Sequence, residues 1–385
     1  MQDRTRLSRP NRSAAGRNRP VNPPVERATT LLMPEAGDLY DLSQGPVYGL
    51  QGSAVHQELR EAVAVLEGAA HVALTPSGLA AVAVGLMAVV DAGDEVLAVD
   101  SLYGPTRRFL QRTLKRYAVT TRFFHPQAAP DEVLALAGDR TRLILLESPG
   151  SLTFEVQDVG AIARLATARG IAVLADNSWA AGLLFKPLAH GADLSVQALT
   201  KYAAGHSDVF AGAVATRDPA TARRVEAVID DLGWFLSPDD AYLALRGVRT
   251  LPLRLAEQGR SAVQVARWLE QRPQVRRVLS PVLPGDAGHE LWRRDFSGAA
   301  SLFGVVLQPA SRAEVEAFLN RLELFGLGFS WGGFESLATY EDPQLASRAF
   351  PVELGGPLVR LHVGLEAPED LIADLARALE GYVSA

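Results

Sequence analysis

One lysine in this sequence stands in a setting suited to nucleophilic chemistry. Lys201 follows the apolar run 195–199 and is followed by Gly205, Ser207 and Asp208. A lysine amine withdrawn from water has a lowered pKa, so it can attack an aldehyde. The alternative is a strand-end lysine whose ammonium group reaches solvent. The lysine segment alone does not decide between the two.

An acidic residue at the end of another predicted strand supplies a partner for this lysine. Asp176 lies in Leu174-Ala175-Asp176-Asn177. Enzymes that use pyridoxal phosphate (PLP) pair a lysine with an aspartate that keeps the pyridine nitrogen protonated. Tyr103 and the turn Ser77-Gly78 also follow predicted strands, and ligands of parallel sheets lie beyond the carboxyl ends of strands. These positions favour a functional site at one edge of the sheet.

The elements that would carry these residues alternate along the chain. Apolar strand patterns lie at 71–74, 95–99, 120–124, 143–146, 171–174, 194–199 and 209–215, and helical patterns at 54–66, 79–90, 105–117, 130–137 and 159–169. This alternation predicts a mainly parallel sheet with helices on both faces. After residue 248 the pattern predicts a smaller α/β domain, with strands at 275–279, 302–307, 324–329 and 358–363 and helices at 255–269, 312–322 and 368–382.

A second candidate site is the pattern Gly328-Phe329-Ser330-Trp331-Gly332, which matches a serine-hydrolase nucleophile elbow. Asp342 and His362 follow in the order of a catalytic triad. However, Gly332-Gly333 opposes the helix that must follow the serine. The short distance to Asp342 also leaves no room for the intervening elements, so both points disfavour a hydrolase.

Composition limits the remaining function classes. The 385 residues carry a net charge of −6, which argues against nucleic acid or an anionic membrane as the main partner. The absence of cysteine excludes disulfides and thiolate sites, and the seven histidines show no metal-ligand spacing. The longest apolar run, 79–90, is too short to span a bilayer, and no signal-peptide pattern precedes residue 30. The arginine-rich residues 1–27 are expected to be a flexible basic arm.

Several motifs, in order, resemble the Cys/Met-metabolism family of PLP-dependent enzymes. They are 176–182, the Lys201 segment and 360–366, and the resemblance runs from about Val21 to Glu380. It implies the aspartate aminotransferase-like fold (fold type I), with a large seven-stranded sheet domain. Segments 147–151 and 330–336, together with His362, resemble the bacterial β-lyase branch, which implies cleavage of cystathionine in methionine biosynthesis.

The resemblance also implies roles for individual residues. Lys201 would hold PLP and then move the substrate α-proton, while Asp176 would bind the pyridine nitrogen. Tyr103 would stack over the ring and assist proton transfers, and Tyr48 is also a predicted catalytic residue. The cofactor phosphate would be bound by Gly78, Leu79, Thr200 and Tyr48, and the substrate carboxylate by Arg360, Ser330 and Trp331.

One position departs from the family pattern. Relatives usually have Tyr-x-Arg where this chain has Tyr48-Gly49-Leu50, so a charged phosphate contact is missing. Because Tyr48 would act in a neighbouring subunit, the resemblance implies a homo-oligomer, expected to be a tetramer. Residues 1–52 would form an arm contacting the neighbour, 53–248 the PLP-binding domain and 249–385 the small domain. A cytoplasmic location is expected.

Three readings of the resemblance remain open. The chain could be a β-lyase, a γ-synthase, γ-lyase or cysteine desulfhydrase of the same family, or a PLP-fold protein that has lost catalysis. The product separates the β-lyase from a γ-type enzyme, because the first gives pyruvate and the second gives 2-oxobutyrate.

Overall fold

A computed structural model describes residues 1–8, 20–41, 43 and 45–383, and its largest element is a seven-stranded sheet. The strands are β1 (His71–Thr75), β2 (Glu95–Val99), β3 (Thr120–Phe124), β4 (Thr141–Glu147), β5 (Ala172–Asp176), β6 (Leu194–Gln197) and β7 (Gly212–Thr216). Their order is β1-β7-β6-β5-β4-β2-β3, and β7 alone runs against the others. The predicted fold class is confirmed.

A second sheet of five strands lies in the C-terminal part, in the order β10-β11-β12-β9-β8. Its strands are β8 (Val275–Leu279), β9 (Leu302–Leu307), β10 (Gly326–Leu327), β11 (Leu337–Tyr340) and β12 (Leu358–His362). Neighbouring strands are antiparallel except β10 and β11. This sheet belongs to the smaller C-terminal α/β part of the predicted fold class.

Helices cover both sheets. They are α1 (Asp3–Ser8), α2 (Ala54–Glu67), α3 (Gly78–Met87), α4 (Gly104–Arg108), α5 (Pro130–Ala135), α6 (Val159–Thr167), α7 (Pro219–Leu232), α8 (Pro238–Val248), α9 (Leu251–Leu269), α10 (His289–Asp295), α11 (Arg312–Asn320), α12 (Asp342–Leu345) and α13 (Pro368–Glu380). Short 3-10 helices occur at Ala36–Tyr40, Gly49–Gln51 and Pro187–His190. No helix in these described ranges is long and apolar enough to span a membrane.

The central strands of the large sheet are buried on both faces. Every residue of β2 and of β7 is buried, because helices lie on both faces of the sheet. Helix α3 is apolar on all sides and buries all its residues from Ala80 to Leu86. The helix begins after Ser77, whose hydroxyl accepts the Ala80 N–H at 3.1 Å, so the chain turns sharply from β1 into the helix.

Helix α9 joins the two cores. Leu251 and Leu255 pack in the core around the large sheet, whereas Val265 and Leu269 pack in the core around the small one. Between them lies Gly259, where a Cβ atom would stand 2.2 Å from the Ala299 carbonyl oxygen. The two sheets therefore share one continuous helix.

Three local predictions differ from the structure. The strand expected at 324–329 is reduced to Gly326–Leu327, because the following residues leave the sheet. The helix expected at 105–117 consists of α4 followed by a π-helical turn at Phe109–Leu114. The arm at 1–27 was expected to be flexible throughout, but residues 3–8 form α1, which buries Leu7. Arginines 9, 12, 17 and 19 of this arm lie outside the described residues.

Glu67, the last residue of α2, is fully buried behind the large sheet. Its carboxylate accepts hydrogen bonds from Ser195 Oγ at 2.7 Å, from Gln197 Nε2 at 2.5 Å and from Asn177 Nδ2 at 3.1 Å. Burial raises the pKa of Glu67 to about 7, against the effect of these donors. The carboxylate thus ties α2 to the ends of β5 and β6, next to Asp176.

We predict that Glu67→Gln makes stability less dependent on pH. An unfolded glutamate has a pKa of about 4.3. Because the folded pKa is higher, the stabilising contribution of Glu67 is complete below the unfolded pKa and is lost as pH rises through about 7. The wild type should therefore lose on the order of 3 kcal/mol more than the variant between pH 4.5 and pH 8.

Urea unfolding of the PLP-saturated proteins across this pH range measures the difference. Glu61→Gln, on the exposed side of the same helix, is the matched control and should follow the wild type. Parallel pH profiles for Glu67→Gln and the wild type would contradict the prediction.

Candidate active site

A cavity of about 270 Å³ lies at the carboxyl ends of the parallel strands. Asp176 ends β5, Glu147 ends β4, and the turn into α3 follows β1. Of the predicted site residues, the structure brings Gly78, Leu79, Tyr103, Asp176, Thr200, Lys201, Trp331 and Arg360 to the walls of this cavity. The location agrees with the expectation for parallel sheets.

The Lys201 amine lies between the two domains. Its Nζ atom donates a hydrogen bond to Ser330 Oγ at 2.7 Å and lies 5.1 Å from the centre of the Trp331 ring. Burial and the nearby Arg360 lower the pKa of Lys201 to about 8, although Asp176 acts in the opposite direction. At pH 7 roughly one amine in ten is therefore unprotonated, against well under one in a thousand for an ordinary lysine, which favours a nucleophile.

Two carboxyl groups lie side by side at the strand ends. Glu147 and Asp176 are paired in the β4–β5 register. Asp176 Oδ1 accepts the Ser178 N–H at 3.0 Å, and burial raises the pKa of Asp176. Burial, followed by the nearby Asp176, raises the pKa of Glu147 well above its usual value. Two like charges in this position oppose each other, and the larger rise in pKa at Glu147 favours its neutral form over that of Asp176.

The start of α3 forms one wall of the cavity. A Cβ atom at Gly78 would lie 2.5 Å from the Ala198 Cβ, so only glycine allows the helix to approach this closely. The first N–H groups of a helix have no partner within the helix and favour an anion. Thr200 stands nearby, and its hydroxyl exchanges hydrogen bonds with the backbone of Ala211 at 3.0 and 3.1 Å.

Arg360, on β12, brings a cation from the small domain. Only 9% of its surface is exposed, and its Nε atom pairs with Glu341 Oε1 at 3.4 Å. Within the described residues, no hydrogen bond engages its two terminal nitrogens. These nitrogens are therefore available to bind a carboxylate as a fork.

The hydrolase triad, which the sequence already disfavoured, does not form. Ser330 accepts its hydrogen bond from Lys201, whereas Asp342 binds the Leu358 N–H and the Tyr340 hydroxyl. His362 lies 2.7 Å from Ser301 Oγ through Nδ1 and accepts the Gly332 N–H through Nε2 at 3.1 Å. Burial lowers the pKa of His362 to about 3, so the imidazole stays neutral and supports the segment that follows Trp331.

Tyr48 does not line the cavity of its own chain. Half of its surface is exposed, and its neighbour Leu50 is 48% exposed. Glu147 lines the cavity but was not among the predicted site residues, although an acid at the end of an apolar strand, as at Asp176, was the available signal.

The residues present fit pyridoxal phosphate. Lys201 offers an amine of lowered pKa, Asp176 a carboxylate at the sheet edge, and Gly78 a close-fitting helix start suited to a phosphate. The fold and this cavity define an aspartate aminotransferase-like enzyme dependent on PLP.

Comparison with known proteins gives the family. The model of the Cys/Met metabolism PLP-dependent enzymes matches residues 4–380. The cystathionine beta-lyase of Bordetella avium is 42% identical, with 94% of this chain and 92% of that protein covered. The cystathionine beta-lyase of Salmonella typhimurium is 40% identical, with 92% of each covered. The crystal structure of metB from Corynebacterium glutamicum matches with a TM-score of 0.90 and 28% identity over 99% of this chain and 98% of that one. The chain belongs to the Cys/Met metabolism PLP-dependent enzyme family.

We predict that Lys201→Ala abolishes turnover. Without the amine, PLP has no covalent attachment and the substrate α-proton has no base, so activity should fall by at least about 10³-fold. Borohydride reduction followed by mass spectrometry should detect PLP on the wild type at Lys201 but not on the variant. Lys186→Ala is the control, because this lysine caps helix α2 outside the cavity. Turnover by Lys201→Ala close to that of the wild type would contradict the assignment.

Proposed function

We propose that this enzyme is a carbon–sulfur β-lyase that converts cystathionine and water to homocysteine, pyruvate and ammonia. The observation that carries the proposal is the placement of the Lys201 amine beside Arg360 and Asp176 in one cavity. Similarity to proteins named cystathionine beta-lyase supports this substrate.

Arg360 would orient the substrate. Its terminal nitrogens would bind the α-carboxylate, while Glu341 holds the other edge of the guanidinium group in place. Ser330 and Trp331 would close the same side, since both contact the Lys201 amine. The α-proton would then face the lysine.

Lys201 would hold the cofactor through its amine and, once free, take the substrate α-proton. Bound PLP supplies an electron sink that stabilises negative charge at the α-carbon. Asp176 would keep the pyridine nitrogen protonated, and Tyr103 would cover the ring. Departure of homocysteine thiolate from the β-carbon would leave the fragment that hydrolyses to pyruvate and ammonia.

A homo-oligomer would complete the phosphate site. The segment around residues 30–50 exposes apolar side chains, including Leu32 at 93% and Tyr40 at 92%. A neighbouring subunit covering this segment would bring Tyr48 to its own cavity, with Leu50 leaving a charged contact unmade. A tetramer and a cytoplasmic location remain predictions.

Product identification tests the proposal. The purified enzyme with PLP and cystathionine should release homocysteine and pyruvate in equal amounts. Cysteine with 2-oxobutyrate would instead identify a γ-type lyase, and absence of turnover would favour a protein that has lost catalysis. Lys201→Ala serves as the blank for cofactor-only chemistry.

We predict that Arg360→Lys is not a conservative change. An ammonium group cannot form the two-pronged contact with a carboxylate. We expect kcat/KM for cystathionine to fall roughly 100-fold, which corresponds to about 2.7 kcal/mol. Arg277→Lys, on the exposed part of β8, is the matched control. An unchanged kcat/KM for Arg360→Lys would place the arginine outside the substrate site.

A further inference from the structure

Glu147 is the acidic residue in the cavity to which the proposed reaction gives no role. It lines the cavity as the last residue of β4, in register with Asp176. Its Oε2 atom accepts the backbone N–H of Tyr103 at 2.7 Å. Glu147 therefore lies between Asp176, which is assigned to the pyridine nitrogen, and Tyr103, which is assigned to the face of the ring.

Tyr103 has few other restraints at its own position. Its side chain is 45% exposed, and it stands immediately before the short helix α4. The preceding residues are fixed elsewhere, because Ser101 O accepts the Ser151 N–H at 2.7 Å and Gly150 packs closely against Ser101. The Tyr103 carbonyl oxygen accepts the Arg107 N–H of α4 at 3.1 Å, and the Tyr103 N–H donates to Glu147. Of these two backbone contacts, the one with Glu147 joins Tyr103 to the cavity wall.

The charges around Glu147 also suit it as the hydrogen-bond acceptor for the Tyr103 N–H. Burial and the adjacent Asp176 raise the pKa of Glu147 well above its usual value, while the hydrogen bond from Tyr103 and the nearby Arg348 act in the opposite direction. Lys201, Arg360 and Tyr103 face the same cavity. A neutral acid can accept the Tyr103 N–H through an oxygen without adding a second negative charge beside Asp176.

We propose that Glu147 is a positioning residue that holds Tyr103 over the cofactor ring through the Tyr103 backbone N–H, and that it does so as a neutral acid. The inference rests on the proposed role of Tyr103 but not on the identity of the substrate. Ionisation of Glu147 at alkaline pH would place two carboxylates side by side, and their repulsion would move Glu147 away from Tyr103 even though a carboxylate is the stronger acceptor.

Two substitutions separate the hydrogen bond from the charge. Glu147→Gln keeps a neutral acceptor of the same length, so kcat should stay within about threefold of the wild type at pH 7. The alkaline pH at which kcat declines should be higher in this variant than in the wild type. Glu147→Leu removes the acceptor, so kcat should fall roughly 10- to 100-fold with a small change in KM, as expected for misplacement of a group by about 1 Å.

Visible circular dichroism of the bound PLP provides a readout independent of turnover. Its signal should be retained in Glu147→Gln and reduced in Glu147→Leu. Glu147→Asp, which is one methylene shorter, should lie between them and serves if the leucine variant does not fold. Glu95→Leu is the matched control. Glu95 is a buried acid at the start of β2, at the edge of the sheet opposite to the cavity, and it binds Thr141 and Arg122. This substitution should lower thermal stability without altering the cofactor signal per folded molecule.

Three outcomes would overturn the inference: a wild-type PLP signal and kcat in both Glu147→Leu and Glu147→Asp, equal impairment of the glutamine and leucine variants, or an unshifted alkaline limb in Glu147→Gln. If the wild type binds PLP but does not cleave cystathionine, the proposed substrate fails, whereas the PLP signal still judges Glu147.

Discussion

An amine that reacts near neutral pH must be withdrawn from water and yet held where an aldehyde can reach it, and much of this structure meets that requirement for Lys201. Burial removes the water that would stabilise its ammonium form, and Arg360 adds repulsion from the small domain. Asp176 raises the pKa of Lys201 and so limits this lowering. The balance depends on both domains, because neither the sheet edge nor β12 alone would surround the lysine with these charges.

The same cavity separates two acids by their surroundings. Asp176 has the Ser178 N–H and the nearby Lys201 amine to stabilise its charged form. Glu147, on the neighbouring strand, is buried and has Asp176 beside it, and both effects raise its pKa well above the usual value. The surroundings, rather than the residue type, therefore set the pKa values of these two acids apart.

Sequence patterns located Lys201, Asp176 and the α3 turn because each lies just beyond an apolar strand, a local property. They could not show that Glu341 holds Arg360 or that Glu147 meets Tyr103, since these contacts join distant parts of the chain. The shortened β10 has a similar cause. Residues after Leu327 leave the sheet so that Ser330 can reach Lys201, and this tertiary contact overrides the local strand pattern.

Helix α9 has a consequence for engineering with this fold. A chimera that exchanged the C-terminal part at residue 249 would replace the entire helix, including Leu251 and Leu255, which fill the core of the large sheet. The donor helix would then have to match two cores at once, and also lack a side chain where Gly259 meets Ala299. A crossover inside α9, after its first two turns, would leave each core with its own residues. The crossover point of such a chimera is therefore best placed between the α9 residues that fill the core of the large sheet and those that fill the core of the small sheet.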